Sequence, residues 1–310
     1  MELSRVTPKE YGQIFPAPFS VFNSVKFSEL NRYKCRDIHY LVFSDSKKRL
    51  GIILGETEDG LRAPFSASYS GFSFNSAVAL QHYDDACALL KEYSAKEYKR
   101  ILFTLAPPIY NSLDNSKTFG ALCRAGAQIS SIDYNHHFDV ARFKDYESLL
   151  DSKVRNKLRI ALQGDLSFTK LNAKNEEDVA RVYDVIRINH AERGNPLRMS
   201  LQNVINTIKI IPADFFVVSN NDGVDVAAAQ IFHTTDKIYQ IVYWGDNPSF
   251  SYLKSMNYLS YKVFEYYYHN TSVKILDIGI STENGIPNYG LCEFKENIGC
   301  IATTRFSLVL

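Results

Sequence analysis

KIYQIVYW at 237–244, the polar turn GDNPSFS at 245–251, a helical run to His269 and VKILDIGIS at 273–281 form one strand, turn, helix, strand passage. The first run is rich in β-branched and aromatic residues, as strands are. Over 251–269, Met256, Leu259, Val263 and Tyr267 fall near one stripe at helical spacing. After the second strand, a short helix at 289–297 is closed by Gly299, and IATTRFSLVL at 301–310 reads as a last strand. Upstream, FFVVS at 215–219 and VDVAAAQIFH at 224–233 flank Asn-Asn-Asp-Gly, a strong hairpin signal.

The first half of the chain repeats that order. DIHYLVF at 37–43 and LGIILGE at 50–56 make a hairpin, and the extended stretch LRAPFSASYSGFSF follows. A helix begins at Ser76, RILFTL at 100–105 is a strand stopped by Pro107-Pro108, and a short helix is closed by Gly126. The alternating run QISSIDYNHHFDV ends the half. Between the halves lies a helix over 149–162, with Leu150, Val154, Leu158 and Ala161 on one stripe and Lys153, Arg155, Lys157 and Arg159 on its other faces. Asp151 and Arg155 stand at i,i+4 spacing there, as an ion pair on a solvated face. Two more helices, at 175–192 and 200–211, precede the second hairpin. The reading is a duplicated α/β unit with mixed sheets, divided into 1–145 and 146–310.

Length and composition bound the function. At about 150 residues per domain, 310 residues suggest two domains. Lys plus Arg number 35 against 34 Asp plus Glu, a net charge of +1 that argues against a DNA-binding arm. The five cysteines form no CxxC pair and no Cys/His cluster of zinc spacing, so no metal site is expected. No apolar h-region opens the sequence and no run approaches 18 apolar residues, which points to a reduced, cytoplasmic protein without a membrane span.

Three passages carry a resemblance: LCRAGAQISSIDYNHHFDV at 122–140, LLDSKVRNKLRIALQGDLSF at 149–168, and ILDIGISTENGIPNYGLCEFKENIG at 275–299 with its Gly290-Leu291-x-x-Phe294-Lys295 pattern. Together with the doubled order of elements and the basic helix opening the second half, they resemble the FemAB-like peptidyltransferases and GNAT-superfamily acyltransferases. The resemblance covers the chain from about Phe15 onward. It implies two tandem GNAT-like domains. Asymmetry between the halves puts the acceptor on the first and donor and catalysis on the second, in a cleft facing the first. In the first half Asp84 and Asp85 disfavour an anionic donor, and RILFTLAPPIY carries no acid or base before the double proline. Asp277, Ser281, Asn284 and Lys295 stand in the equivalent segments of the second. The resemblance also implies acyl or aminoacyl transfer to an amine or hydroxyl, with acyl-coenzyme A as co-substrate and no tightly bound cofactor. Acceptors of this kind are small molecules or cell-envelope precursors. Aminoacyl-tRNA is the alternative donor, and a binding module that has lost its donor site is the non-catalytic alternative. The chain departs from the family at 244–251, where a Gly-rich phosphate-holding turn is replaced by one glycine. It also has no room for the long helical hairpin of tRNA-dependent members.

Candidate residues follow. Asp277, alternating with Ile275, Gly279 and Ser281 along one strand face, either accepts backbone N–H bonds or orients an acceptor nucleophile. Lys295 either donates to the acyl donor or an oxyanion, or is a solvent lysine at a helix C-terminus. His190 is a candidate base, with Arg193 and Asn195 beside it at a helix break, Arg193 on the acceptor side. Donor-binding candidates are Tyr243, Ser249 and Ser251, with the serines as helix caps, and the loop residues Asn284 and Asn288. Arg62 and Tyr69 are candidates for holding the acceptor. His136 and His137, adjacent on a strand, point to opposite faces.

Overall fold

Alternating apolar runs broken by Gly, Asn and Asp turns fold as antiparallel strands, and the 3.6-period stripes between them fold as covering helices. The computed structural model describes residues 1–310 apart from Lys99 and Asn195. The chain begins with β1 (Glu2–Val6), α1 (Pro8–Ile14) and α2 (Val25–Leu30), none of which the sequence patterns indicated. β2 (Asp37–Ser44), β3 (Lys48–Thr57) and β4 (Gly60–Ala63) follow, then α3 (Leu80–Glu97), β5 (Ile101–Thr104), α4 (Ser112–Arg124) and β6 (Gln128–Asp139). α5 (Tyr146–Leu149) and α6 (Ser152–Gln163) replace the single helix expected at 149–162. The Asp151 carboxylate caps α6 at the amide of Val154, while Arg155 donates to the carbonyls of Glu147 and Leu150. Next come β7 (Ser167–Leu171), α7 (Glu176–Glu192), α8 (Leu201–Ile208), β8 (Ala213–Ser219), β9 (Asp225–His233) and β10 (Ile238–Asp246). The chain closes with α9 (Ser255–Asn270), β11 (Ile275–Ile280), the small hairpin β12 (Thr282–Glu283) and β13 (Ile286–Pro287), α10 (Tyr289–Asn297) and β14 (Ile301–Val309).

Two units result, and they do not follow the 145/146 division. The first comprises Met1–Tyr134, Thr282–Ile286 and Thr303–Leu310; the second comprises Asn135–Ser281 and Pro287–Ala302. In the first, strands run β1-β2-β3-β4-β5-β14, antiparallel except for the parallel pair β4/β5. In the second they run β7-β8-β9-β10-β11-β6, again antiparallel except for β10/β11. The two topologies are the same, and in each the last strand comes from the other half of the sequence. Hydrophobic period identifies such a strand but not the neighbour it pairs with, so a division along the chain differs from these two units.

Each unit has its own core. In the first, Leu41, Phe43, Ile52 and Leu54 meet Tyr83, Leu90 and Leu122 from α3 and α4. In the second, Ile231, Ile241 and Leu276 pack against Leu259, Val263, Phe264 and Tyr267 of α9, and the rings of Phe138 and Phe264 lie parallel at 3.9 Å. Among the described residues no helix is long and apolar enough to cross a membrane.

Candidate active site in the second unit

The central parallel pair of the second unit comes apart. β10 and β11 are in register only from Ile238↔Ile275 to Gln240↔Asp277. Beyond that point each strand carries a register shift against its outer neighbour, β10 between Ile241 and Tyr243, and β11 between Asp277 and Gly279. Bulges bend a strand and increase its twist, so two bulges at the same level turn the strands away from each other. Gly279, with φ of +75°, supplies the backbone conformation that the second bulge requires. The register shift also overturns the simple alternation: Asp277 pairs with His137 and Gly279 with His136, and adjacent histidines face opposite ways. Asp277 and Ser281 therefore do not share a face.

Lys295 sits against the parted strand. Its Nζ donates to the carbonyls of Gly279 at 2.9 Å and Ile280 at 2.8 Å, two groups that strand pairing would otherwise satisfy. The side chain is 3% exposed, so the solvent-lysine alternative is excluded. Burial lowers its pKa to about 8, against a weaker opposing pull that includes Asp277. Asp277 is fully buried and accepts from Asn135 Nδ2 at 2.8 Å, Gln240 Nε2 at 2.9 Å and the Gly279 amide at 3.0 Å. One carboxylate thus ties β6, β10 and the β11 bulge together at the point where the gap opens.

The last turn of α7 faces the far end of β10. The ring of His190 meets Tyr243 edge-on at 5.6 Å, and Asn189 donates to the carbonyl of Asp246 at 2.7 Å and to its carboxylate at 3.0 Å. Burial raises the pKa of Asp246, and Arg193 at the C-cap of α7 opposes that shift. The single glycine of the turn serves this packing: a Cβ on Gly245 would lie 2.7 Å from the Asn189 side chain. Asn195 lies outside the described residues.

Ser249 and Ser251 are not caps of α9. They belong to a 3₁₀ turn, Pro248–Leu253, capped by Asn247, whose side chain accepts from the Ser249 amide at 3.1 Å. α9 starts later than the stripe suggested, at Ser255, after Lys254 in the left-handed region with φ of 55°, and no side chain caps it. Ser255 is fully buried and its Oγ has no hydrogen-bond partner among the described residues. A buried hydroxyl left unmatched beneath an uncapped helix N-terminus is a polar group with unused hydrogen-bonding capacity.

The remaining candidates lie apart from this cluster. Asn284, at φ of 51°, is an exposed tip of the β12/β13 hairpin, and Asn288 caps α10 at the amide of Leu291. In the first unit Arg62 is half exposed and paired with Asp59 at 3.0 Å. Tyr69 is core: it is buried, within hydrogen-bond distance of Ser20 Oγ at 3.1 Å, and packed on Tyr110 at 4.4 Å between centroids. Sequence reading did not single out His136 as a site residue, although the structure places its Nδ1 3.0 Å from Ser281 Oγ. The alternation of QISSIDYNHHFDV showed only that its side chain faces away from that of His137.

No protein-family model and no curated protein matches the chain. Solved structures match it over nearly its whole length. FemX aligns with a TM-score of 0.67 at 12% identity, over 99% of this chain and 97% of its own. L-PGS from Bacillus licheniformis gives 0.60 at 12% identity, over 98% and 92%. A tandem GNAT protein from the clavulanic acid biosynthesis pathway gives 0.55 at 9% identity, over 100% and 98%. The chain has the FemAB-like fold of two tandem GNAT-type domains, as its sequence passages suggested.

Proposed function

We propose that the protein is a transferase that moves an acyl or aminoacyl group from an activated donor to an amine or hydroxyl, with the reaction in the second unit. The observation that carries this reading is the parted β10/β11 pair with Lys295 buried against it. Aminolysis of a thioester or ester needs little dedicated chemistry: positioning, stabilisation of the oxyanion and proton transfer suffice. The bulged stretch near Tyr243 offers backbone N–H groups to the donor carbonyl. The ammonium of Lys295, with a pKa near 8, is matched to protonating the leaving group at neutral pH. Asp277 is a positioning residue that holds the strands open. The uncapped start of α9, with Ser255 beneath it, takes a phosphate of the donor.

Acyl-coenzyme A is the first donor class and a small molecule or cell-envelope precursor the acceptor. A specific observation favours aminoacyl-tRNA as a second reading: Lys153, Lys157 and Arg159 are all exposed on α6. Calorimetry with acetyl-, succinyl- and long-chain acyl-coenzyme A, and with charged tRNA, separates the two. Binding of one donor at micromolar levels supports transfer. Binding of a peptide or envelope precursor with no affinity for any donor would reduce the fold to a binding module.

A further inference from the structure

A histidine with no exposed surface stands on β6, the last strand in the second unit's order, and only one of its nitrogens is satisfied. His136 Nδ1 lies 3.0 Å from Ser281 Oγ, both side chains being buried, while its Nε2 has no hydrogen-bond partner. That orphaned nitrogen faces Glu296 Oε1 at 3.7 Å, and the Glu296 side chain is 61% exposed. Ser281 directly follows the two carbonyls that Lys295 holds. Its own carbonyl is taken by the Asn288 amide and Cys292 Sγ, so its hydroxyl has the imidazole as its partner. Burying an imidazole with one nitrogen unmatched is costly. An apolar residue there would avoid that cost, as Phe138 does two positions along β6, where it stacks on Phe264.

We propose that Ser281, His136 and Glu296 form a proton path from the gap between β10 and β11 to solvent. This rests on the acyl-transfer reading and deepens it. When the acceptor amine has attacked the donor carbonyl, its nitrogen carries one proton too many. That proton passes to Ser281 Oγ as the hydroxyl proton moves to His136 Nδ1, and the Nε2 proton leaves through the Glu296 carboxylate to water. The carbon–sulfur or carbon–oxygen bond of the donor breaks with its electron pair on the leaving group, which takes a proton from Lys295; the amine recovers its proton from water. Over the turnover no proton is made or lost. The ring, left with its proton on Nδ1, regains its resting tautomer between turnovers: that proton returns through Ser281 to water in the gap, and Nε2 takes one from water through Glu296. The path requires the neutral imidazole with Nδ1 unprotonated and Nε2–H facing Glu296. Burial and the charge of Lys295 on α10 lower the pKa of His136, His137 on β6 adds to that, and Glu296 opposes it, so the neutral form prevails near pH 7.

The test is NMR of the full chain with ¹⁵N-labelled histidine, the His136 ring being assigned by its loss in His136→Gln. The expected spectrum has a bare Nδ1 and an Nε2–H that exchanges with water despite burial, the exchange slowing by about tenfold or more in Glu296→Gln, on the scale of a lost proton-transfer partner. Ser281→Ala, a small change that leaves Lys295 in place, should release the tautomer and let the Nδ1–H form appear. A ring protonated at Nδ1 in the wild type, or an exchange rate indifferent to Glu296→Gln, overturns the path. Donor calorimetry judges the acyl-transfer reading separately: a protein that binds donor but ignores Glu296→Gln loses the path alone, and one whose ring proton leaves through Glu296 keeps the path whatever the donor.

Discussion

Lys295 Nζ lies 2.9 Å from the carbonyl of Gly279, so a buried ammonium takes the place of the missing strand partner where β11 bends away from β10. The same contact holds the gap open and places a proton donor beside it.

Lys295→Met keeps the length of the side chain and removes the donor, which should cost about 1–3 kcal/mol through the unmatched carbonyls. The pH dependence has a definite sign. With the Lys295 pKa lowered by burial to about 8 from an ordinary 10.5, the folded chain binds fewer protons than the unfolded chain between those values. The lysine's contribution to stability therefore rises with pH across that interval. The deficit of Lys295→Met relative to wild type should widen, by up to roughly 3 kcal/mol, between about pH 8 and 10.5. Urea titrations at the two ends measure it, and a deficit that narrows as pH rises contradicts the burial of the charge.

Asp277→Asn exchanges an acceptor for a group that is half donor, facing Asn135 Nδ2, Gln240 Nε2 and the Gly279 amide. At least one donor must then face another inside the core, at a cost of about 2–4 kcal/mol. Because the same carboxylate holds the parted strands, stability and turnover should both fall. Denaturant midpoints decide it, and a variant as stable as wild type would mean that the network rearranges freely.

The order of elements was legible in both halves because hairpin turns and helical stripes are local signals. The pairing of β6 with β11 and of β14 with β5 was not, since pairing partners leave no mark on hydrophobic period. Asp277 stood out as an acid on an apolar strand, a local contradiction that needs a partner. Lys295 did not stand out in the same way: lysines near helix ends are mostly solvated, and its burial depends on two bulges in other elements. His136 went unselected for a similar reason, because the bulge at 277–279 decides which histidine meets Ser281.

Gly245→Ala tests the approach of α7 to β10. The added methyl would meet the Asn189 side chain at 2.7 Å, and that side chain is buried and held by Asp246. Overpacking of this kind costs about 1–3 kcal/mol. Thermal melts measure the loss, and an unchanged midpoint would show that the turn glycine is there for some reason other than packing.

Asp214 gives the second unit an acid-labile brace. Burial alone would raise its pKa, but hydrogen bonds from His233 at 2.8 Å, Lys170 at 2.6 Å and Tyr267 at 2.7 Å bring it down to about 2. The folded-state pKa lies below the unfolded value of 3.8, so this stability is complete above pH 4 and is lost as pH falls toward 2. Asp214→Asn should abolish that slope and cost a few kcal/mol near neutrality, in the range of about 3–5 for a broken buried pair. Acid titrations of both proteins followed by circular dichroism test this, and parallel curves would rule the brace out.

Ser255→Ala separates structure from donor binding at the start of α9. The hydroxyl is fully buried and has no partner among the described residues, so deleting it removes an unmatched polar group from the core. Stability should hold or rise by up to about 1 kcal/mol, the reverse of the usual effect of deleting a cap. If the start of α9 receives a donor phosphate, affinity for coenzyme A or inorganic pyrophosphate should fall by about tenfold, equal to one charge-assisted hydrogen bond of about 1.4 kcal/mol. Ser255→Asp should abolish binding through like-charge repulsion at a helix end that otherwise favours anions. Melting curves and calorimetry on the same samples are needed together. A destabilised Ser255→Ala with unchanged affinity would show that the hydroxyl supports the helix, and the donor phosphate would then have to be sought away from α9.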